Sequence, residues 1–231
     1  TVQAFRGLEY APVTRTLTIA AGAARVERIQ LRRLLDLPAR GWWSGDLHVH
    51  MNYGGAYRND PARLRFQAES EDLHVVENLI VNKEERIPDI AWFFPDASPT
   101  GRKRILLHAQ EYHTSFWGHL GLLHLSDHLL LPGYTAYRHT ALASPWPHNG
   151  VIADLAHEQG ARVGYVHIAD FPIDPPKEKS LSYQLPADVA HGRVDYLEVM
   201  GFSDHHITAG IWYRLLNLGF RLPAGAGTDA M

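Results

Sequence analysis

The chain has 231 residues, 45% of them hydrophobic, which is enough to bury the core of one large domain or of one domain with a small appendage. Its formal net charge is -3 and its pI is near 6.5, so it lacks the basic field that a nucleic-acid-binding surface needs. It contains no cysteine, which excludes disulfides and cysteine-ligated zinc. Any bound metal must therefore be held by imidazole and carboxylate groups.

The sequence contains no segment typical of membrane insertion or export. No apolar run approaches the roughly 20 residues that span a bilayer, and the start lacks the charged-then-apolar profile of a signal peptide. We expect a soluble protein, with cytoplasm and export both open as its compartment and its oligomeric state undetermined. The chain begins at Thr1 and stops at Met231, two residues after Asp229, so we also expect a trimmed sequence with an incomplete carboxyl-terminal part.

The first 40 residues contain two β-type segments. Residues 15–20 and 25–32 both alternate apolar with polar side chains, and the Ala-Gly-Ala-Ala stretch between them is turn-like. This pattern predicts a half-buried antiparallel hairpin. Such a hairpin is too small to be stable alone. We therefore expect residues 1–40 to form a hairpin or partial β-sandwich that packs on a larger domain of residues 41–231.

The remainder alternates short apolar runs with helical patterns, as α/β proteins do. Asn149 is predicted to cap a helix that ends at Gly160, and residues 162–167 then predict a buried strand. Residues 194–200 predict another strand.

A second helix is predicted to begin after a cap at Ser203 and to end at Gly219, followed by a strand within residues 220–229. Potential metal ligands stand at the ends of these predicted strands. Parallel α/β barrels build their sites at the carboxyl ends of their strands, so we expect one site assembled from several strand ends.

The segment Gly45-Asp46-Leu47-His48-Val49-His50 is the first candidate ligand motif. Side chains two residues apart in a strand point to the same face, so His48 and His50 can converge on one metal ion. About one His-x-His pair is expected by chance among 15 histidines in 231 residues, so the pair alone is weak evidence. Asp46 is a candidate acceptor for an imidazole N–H.

Four more candidate ligands lie at or near the ends of apolar runs: Glu111, His119, His167 and Asp229. Imidazole and carboxylate suit zinc, manganese or iron. A carboxylate such as Glu111 can bridge two ions, and two ions about 3.5 to 4 Å apart would lower the pKa of a shared water toward ~7, so the set predicts hydrolysis. The structural alternatives are an ion pair for Glu111, a core position for His119, and capping or surface roles for His167 and Asp229.

Three more residues are candidates for roles beside the metal. His113, two residues after Glu111, is either a proton shuttle or a hydrogen-bonding partner. Glu198 either faces the barrel mouth or is a buried, hydrogen-bonded carboxylate. His205, next to Asp204 in the first turn of a predicted helix, belongs to a substrate pocket or to the surface rather than to a metal. The candidate catalytic residues are therefore Glu111, His113 and His205.

Several motifs in order resemble a known group, the polymerase-and-histidinol-phosphatase (PHP) superfamily. More narrowly, they resemble its CehA/McbA-type metallohydrolases, the branch that includes carbaryl hydrolase. The likeness extends from about residue 41 to the end of the chain. The combination is more specific than any single motif, and its members are residues 45–50, 110–121, 164–167, 194–199 and 225–230.

The resemblance implies a distorted (β/α)7 barrel with two or three divalent metals at its carboxyl face, preceded by a partial β-sandwich that matches the opening hairpin. It also implies a role for each candidate ligand. His48 and His50 would be ligands of the first site, Glu111 a bridging ligand, His119 and His167 further ligands, and Asp229 the ligand after the late strand.

The sequence thus predicts a metal-dependent hydrolase that uses an activated water on an ester or carbamate bond of an apolar or aromatic substrate. The alternatives are a PHP-type phosphoesterase and a non-catalytic metal- or carbohydrate-binding module. We expect two divalent ions, with zinc first and manganese or iron as alternatives. Aromatic side chains without an Arg or Lys cradle near the motifs favour an apolar substrate group over a phosphate. These aromatic residues are Trp92, Phe93, Phe94, Trp117, Tyr134 and Trp146.

Overall fold

The computed structural model of the chain describes residues 1–53, 58–81, 89–93, 104–114, 116–130, 146–172 and 184–230. Within these ranges the chain forms nine strands and four α-helices. The strands are β1 (Val2–Ala4), β2 (Val13–Arg15), β3 (Gly45–Val49), β4 (Val75–Val81), β5 (Ile105–Tyr112), β6 (Leu120–Leu123), β7 (Arg162–Tyr165), β8 (Tyr196–Met200) and β9 (Ala224–Ala226). The helices are α1 (Pro61–Ser70), α2 (Asn149–Glu158), α3 (Leu185–Ala190) and α4 (His205–Asn217).

Strands β3 to β9 form one seven-stranded sheet in chain order. A parallel bridge between Val49 and Ala230 joins its first strand to the exit of its last, so the sheet is nearly closed into a barrel. Strand β6 is antiparallel to both neighbours, whereas the other pairings are parallel. Residues 113–119 are too few for the crossover of about a dozen residues that a parallel pair needs, so the chain turns back. A barrel-like α/β fold is confirmed, with this exception to a regular strand–helix repeat.

Tyr196 is a large side chain packed between strands of the barrel. Its ring lies against glycines of three other strands, and a Cβ at Gly164 would stand 2.2 Å from the ring carbon Cζ. The Tyr196 hydroxyl donates a hydrogen bond to the carbonyl oxygen of Gly121 at 3.3 Å. Leu79, on β4, packs in the same apolar cluster. Glycine on β6 and β7 is therefore required by the volume of one buried aromatic ring, since a larger residue would overpack the barrel.

The main hydrophobic core lies outside the barrel, where helices cover strands β5 to β8. It contains residues of α2, α3 and α4, among them Ile152, Val189 and Leu215. A smaller cluster packs α1 against β3 and β4 through Leu64 and Val76. These two cores attach the helices to the sheet and leave the strand exits free to carry functional side chains.

Helices α2 and α4 confirm the two predicted helices, but each predicted cap is displaced by one residue. The N-cap of α2 is His148. The predicted cap, Asn149, is the first residue of the helix, and its side chain donates hydrogen bonds to loop carbonyls. The N-cap of α4 is Asp204 instead of Ser203, and its carboxylate accepts from two backbone N–H groups of the first turn. A carboxylate is a good acceptor for the free N–H groups at a helix start, which accounts for the choice of Asp204.

The predicted carboxyl-terminal ends of these helices are confirmed by backbone geometry. Gly160 and Gly219 follow α2 and α4 with φ of 78° and 95°, the left-handed conformation that glycine adopts at low cost. The predicted strands in residues 162–167 and 194–200 correspond to β7 and β8. The strand predicted in residues 220–229 is shorter, because only Ala224–Ala226 pairs with β8.

The predicted hairpin of residues 15–20 and 25–32 is wrong in position. The observed hairpin joins β1 to β2, and residues 16–32 form no strand. Alternation predicts a strand only if a surface covers its apolar face, and here Ile19 and Val26 are 62% and 89% exposed. The prediction of a small antiparallel unit before the barrel holds, and its separation as a domain of residues 1–40 stays a prediction.

Charged side chains attach this amino-terminal segment to the barrel. Asp72, after α1, lies 3.4 Å from a guanidinium nitrogen of Arg6 and 3.3 Å from one of Arg104. Arg33 lies 2.8 Å from Glu9 and also approaches Asp72. The segment is thus connected to the barrel by shared ion pairs. None of the described helices is both long and apolar enough to cross a membrane.

The barrel also buries a carboxyl group remote from the predicted ligands. The Glu77 side chain on β4 is 3% exposed, and the exposed His124 lies 4.0 Å from its Oε1. Within the described residues, Glu77 Oε2 has no hydrogen-bond partner. Burial raises the pKa of Glu77 from 4.5 to about 7. The folded protein therefore favours the protonated form of this group.

Replacing Glu77 by glutamine should make the protein's stability less dependent on pH. A carboxyl with a raised pKa in the folded state stabilises the fold below the unfolded pKa of 4.5, and this contribution is lost as pH rises through about 7. Between about pH 5 and about pH 8, wild type should lose roughly 2 to 3 kcal/mol of unfolding free energy relative to Glu77→Gln. Urea unfolding at both pH values in the presence of a chelator measures the difference.

The same glutamine substitution at the exposed Glu69 of α1 is the matched control, and it should show no such divergence from wild type. Parallel stability profiles for Glu77→Gln and wild type across this range would contradict the prediction.

Candidate metal centre

The structure brings all six predicted metal ligands together at one end of the barrel. Their ligand atoms form three groups, and within each group these atoms all lie within 4.8 Å of one another. Five of the ligands stand at or after the carboxyl ends of parallel strands. The sixth precedes the antiparallel strand β6, whose amino end lies at the same face. The groups are His48 with His50 and Glu111, His48 with His167 and Asp229, and Glu111 with His119 and His167.

The imidazoles of His48 and His50 direct their Nε2 nitrogens at one point. The His48 Nδ1 donates to Glu198 Oε2 at 2.9 Å, and the His50 Nδ1 donates to the carbonyl oxygen of Leu79 at 2.7 Å. Both Nδ1 atoms are thus engaged, and the two Nε2 atoms, which face the cluster, are 3.1 Å apart. Asp229 Oδ1 lies 3.1 Å from His50 Nε2. Imidazole nitrogens and a carboxylate this close need positive charge between them, which either a proton on His50 or a divalent cation would supply.

Glu111 lies between two sets of histidines. Its Oε1 is 2.8 Å from His167 Nε2 and 2.9 Å from His119 Nδ1. Its Oε2 is 3.3 Å from His50 Nε2. One oxygen thus faces the histidines of β6 and β7, and the other faces the histidine pair of β3. This is the geometry of a carboxylate that can serve two cation positions at once.

The cluster combines buried carboxylates with histidines, and their pKa values are shifted by one another. Burial alone would raise the pKa of Glu111, but the adjacent His119 imidazole and hydrogen bonds from His119, His167 and His50 hold it well below its usual range. Burial works against a charged His50, yet hydrogen bonds to Asp229 and Glu111 raise its pKa to about 10. Buried carboxylates at this point therefore require positive charge, from protons or from a metal ion.

The remaining ligands show the same opposition of burial and charge. Burial lowers the pKa of His119, and the nearby Glu111 carboxylate does not reverse the shift. At His167, burial is outweighed by the hydrogen bond to Glu111, and the pKa is raised. Burial of Asp229 is outweighed by its hydrogen bond with His50, and the pKa of this carboxyl is lowered. Neutral His119 is suited to metal ligation, which needs a free nitrogen lone pair.

Two of the candidate ligands have unusual backbone geometry. His167 and Asp229 have φ of 30° and 54°, in the left-handed region that residues other than glycine seldom adopt. Such strain is concentrated at functional sites, where surrounding contacts impose it. At Asp229 these contacts include its own N–H, which donates to the carbonyl oxygen of His48 at 2.8 Å.

Contrary to the prediction, Asp46 accepts no hydrogen bond from an imidazole of the described residues. Its Oδ1 accepts from the backbone N–H groups of His48 and Thr228, at 3.0 and 2.9 Å, and its Oδ2 accepts from the Thr228 hydroxyl at 2.6 Å. The backbone N–H groups and the hydroxyl thus occupy both carboxylate oxygens, and one of the contacts joins β3 to the chain after β9. Asp46 therefore closes the barrel between His48 and Asp229.

The two proposed catalytic histidines occupy different surroundings. The His113 ring is half-buried and lies against His119, with ring centroids 3.7 Å apart. His205 is exposed at the start of α4, with its ring 4.1 Å from that of His206, and it is in none of the three ligand groups of the described residues. Tyr53, which sequence reasoning missed, has its ring centroid 4.9 Å from that of His50.

The predicted aromatic pocket is described only in part. Phe94 and Tyr134 lie outside the described residues. Phe93 packs against the main core, and Trp92 and Trp146 are exposed. Sequence reasoning did not single out two other phenylalanines, Phe171 and Phe202, which are exposed four residues after His167 and Glu198 respectively.

No protein-family model and no curated protein sequence matches the chain. Among solved structures, the chain is similar to a two-domain protein containing a predicted PHP-like metal-dependent phosphoesterase from Bacteroides vulgatus ATCC 8482. The TM-score is 0.50 at 15% identity, over 81% of this chain and 52% of that one.

It is also similar to PsfC from Pseudomonas syringae PB-5123, with a TM-score of 0.47 at 16% identity, over 80% of this chain and 75% of that one. The chain spans about half the length of the Bacteroides protein. At this level of identity the likeness concerns the fold alone, and the chain shares its fold with part of that two-domain protein.

Proposed function

We propose that the chain is a metal-dependent hydrolase of the PHP type. The observation that carries this proposal is Glu111, a buried carboxylate whose two oxygens face two separate histidine sets. Burying this many charged groups without a cation would cost free energy, and a purely structural role does not explain that cost. The shared fold and the order of the motifs support the same assignment.

We propose two cation positions that share Glu111. His48, His50 and Asp229 would hold one ion, and His119 and His167 the other. Zinc is the first choice because the ligands are mostly imidazole nitrogens, with manganese and iron as alternatives. When bound, divalent ions at this point supply Lewis acidity and lower the pKa of water.

The chain's own groups orient this chemistry. Glu111 contacts both ligand sets and so fixes the distance between them. Burial of His48 and His50 excludes bulk water from one side of the cluster. His113, stacked on His119, is the proposed hydrogen-bond donor to the leaving group. His205, at the exposed start of α4, is proposed to contact the substrate at the rim.

The proposed substrate is an ester or carbamate with an apolar or aromatic group, as in the CehA/McbA branch. Among the described residues, the hydrogen bonds and ion pairs of the six candidate ligands involve no arginine or lysine. Phosphate recognition commonly uses such cations. The exposed Phe171 and Phe202, close in sequence to His167 and Glu198, support contact with an apolar group.

A phosphoester is the second candidate substrate. The protein from Bacteroides vulgatus is described as containing a predicted PHP-like metal-dependent phosphoesterase, and that observation favours this alternative. Two ions that share a carboxylate can also stabilise an in-line displacement at phosphorus.

Turnover measurements with reloaded protein test the proposal. The chain is stripped with a chelator, reloaded with zinc or manganese, and assayed with p-nitrophenyl phosphate, a naphthyl ester and a naphthyl carbamate. We expect metal-dependent turnover, faster with the naphthyl substrates. A large preference for the phosphate would favour the second candidate. Stoichiometric metal binding without turnover of any of them would leave a non-catalytic binding module and overturn the hydrolase proposal.

A further inference from the structure

Glu198 is a buried carboxylate that touches both halves of the centre without being one of its proposed ligands. Its side chain on β8 is 1% exposed. Its Oε2 accepts from His48 Nδ1 at 2.9 Å, and its Oε1 accepts from the backbone N–H of His167 at 3.2 Å. His48 belongs to the first proposed cation position and His167 to the second. One side chain therefore contacts a ligand of each.

Two glycines make room for this carboxylate. A Cβ at Gly201 would stand 2.2 Å from Glu198 Oε1, and a Cβ at Gly227 would stand 2.9 Å from Glu198 Oε2 and 2.3 Å from the Cβ of His48. Neither glycine has a φ in the left-handed region, so the space is what they provide. The chain around Glu198 is shaped to admit the carboxylate close to His48 and the β9 exit.

The two histidines of the His-x-His motif are held by different acceptors. His50 Nδ1 donates to a neutral carbonyl, that of Leu79, whereas His48 Nδ1 donates to the carboxylate of Glu198. A carboxylate partner fixes the ring orientation and makes the opposite nitrogen a stronger electron donor to a metal. At His167 the same carboxylate holds the backbone N–H of a residue with φ of 30°, which helps to maintain that unusual conformation.

We infer that Glu198 is the positioning residue of the centre, which directs His48 Nε2 toward one cation position and holds the backbone of His167 beside the other. This inference rests on the proposed function, since it assumes that the cluster binds metal. The role is to set metal affinity, and it is separate from contact with the substrate.

The test compares zinc affinity among matched variants, measured by competition with a chromophoric chelator. Glu198→Gln should bind zinc about 10 to 100 times more weakly than wild type, the usual cost of losing such a partner. Glu77→Gln, the same change at another buried glutamate of the barrel, should bind zinc as wild type does. Unfolding of the metal-free variants is followed in parallel, because a purely structural role of Glu198 would lower stability without selectively weakening affinity.

A second variant keeps the Glu198 carboxylate but displaces it. Gly201→Ala places a methyl carbon 2.2 Å from Glu198 Oε1, so the carboxylate must shift from the His167 N–H. It should also weaken zinc binding, by at least about threefold, and it serves if Glu198→Gln does not fold. The visible spectrum of bound cobalt(II) should change in both variants, because ligand orientation changes.

The outcomes separate the two proposals. If wild type binds no zinc, the proposed function fails and the inference fails with it. If wild type binds zinc and turns over substrate while Glu198→Gln and Gly201→Ala bind as tightly as Glu77→Gln, only the inference is overturned.

Discussion

Replacing Glu111 by glutamine is expected to abolish hydrolysis and to remove at least one bound metal ion per chain. Glutamine keeps the size of the side chain but is neutral and has only one acceptor oxygen, so an NH2 group would face either His50 or the pair of His119 and His167. Lost charge stabilisation of several kcal/mol predicts a decrease in kcat/KM of about a thousandfold or more. Steady-state kinetics and elemental analysis of metal content measure the two effects.

Glu77→Gln is the matched control for this substitution, because Glu77 is a buried glutamate of the same barrel that pairs with Leu107, four residues before Glu111, and is in none of the ligand groups of the described residues. It should retain metal content and activity at a pH where it is folded. A Glu111→Gln variant with full metal content and wild-type kcat/KM would contradict both the bridging role and the proposed mechanism.

Zinc is expected to raise the midpoint of thermal unfolding of the metal-free protein by roughly 8 to 16 °C at a thousandfold excess over its dissociation constant. Binding only to the folded state contributes about 4 kcal/mol under these conditions, and each kcal/mol shifts the midpoint of a chain of this size by about 2 to 4 °C. The ligands lie near β3, β5, β6, β7 and β9, so only the assembled barrel brings them together. Calorimetry with and without zinc measures the shift.

Magnesium is the control ion for this experiment. It prefers oxygen ligands, and most of the ligands here are imidazole nitrogens, so magnesium should shift the midpoint by much less than zinc. The zinc shift should also be smaller in Glu111→Gln. Equal shifts with zinc and magnesium, or no shift with zinc, would argue against a transition-metal site in this cluster.

The helices illustrate what can be predicted from local sequence. The ends of α2 and α4 were predicted from Gly160 and Gly219, because a left-handed residue after a helix is a local requirement that glycine meets. The hairpin of residues 15–32 was predicted from alternation and is wrong, because alternation requires a covering surface that a short window of sequence cannot show. The antiparallel direction of β6 likewise depends on how the chain turns back after β5.

In the site, too, some features could be predicted from the sequence and others could not. The chemical types of its ligands, and their recurrence near strand ends, could be predicted from the sequence, since carboxyl ends of parallel strands meet at one face of a barrel. The sequence could not predict which of these atoms come into contact. Glu198 contacts His48 across 150 positions, and Asp46 contacts Thr228 across 182.

The donor chemistry of this protein and the ends of its helices are thus encoded locally, in residue types and in backbone preferences of short segments. Three contacts of the site depend instead on the complete fold: Glu111 faces two histidine sets, the carbonyl of Leu79 orients His50, and Glu198 lies behind His48. These contacts form when the barrel closes, because closure makes strands that are distant in sequence into neighbours. Some of the groups involved, such as a backbone carbonyl or the space beside a glycine, also have no distinctive signal in the sequence.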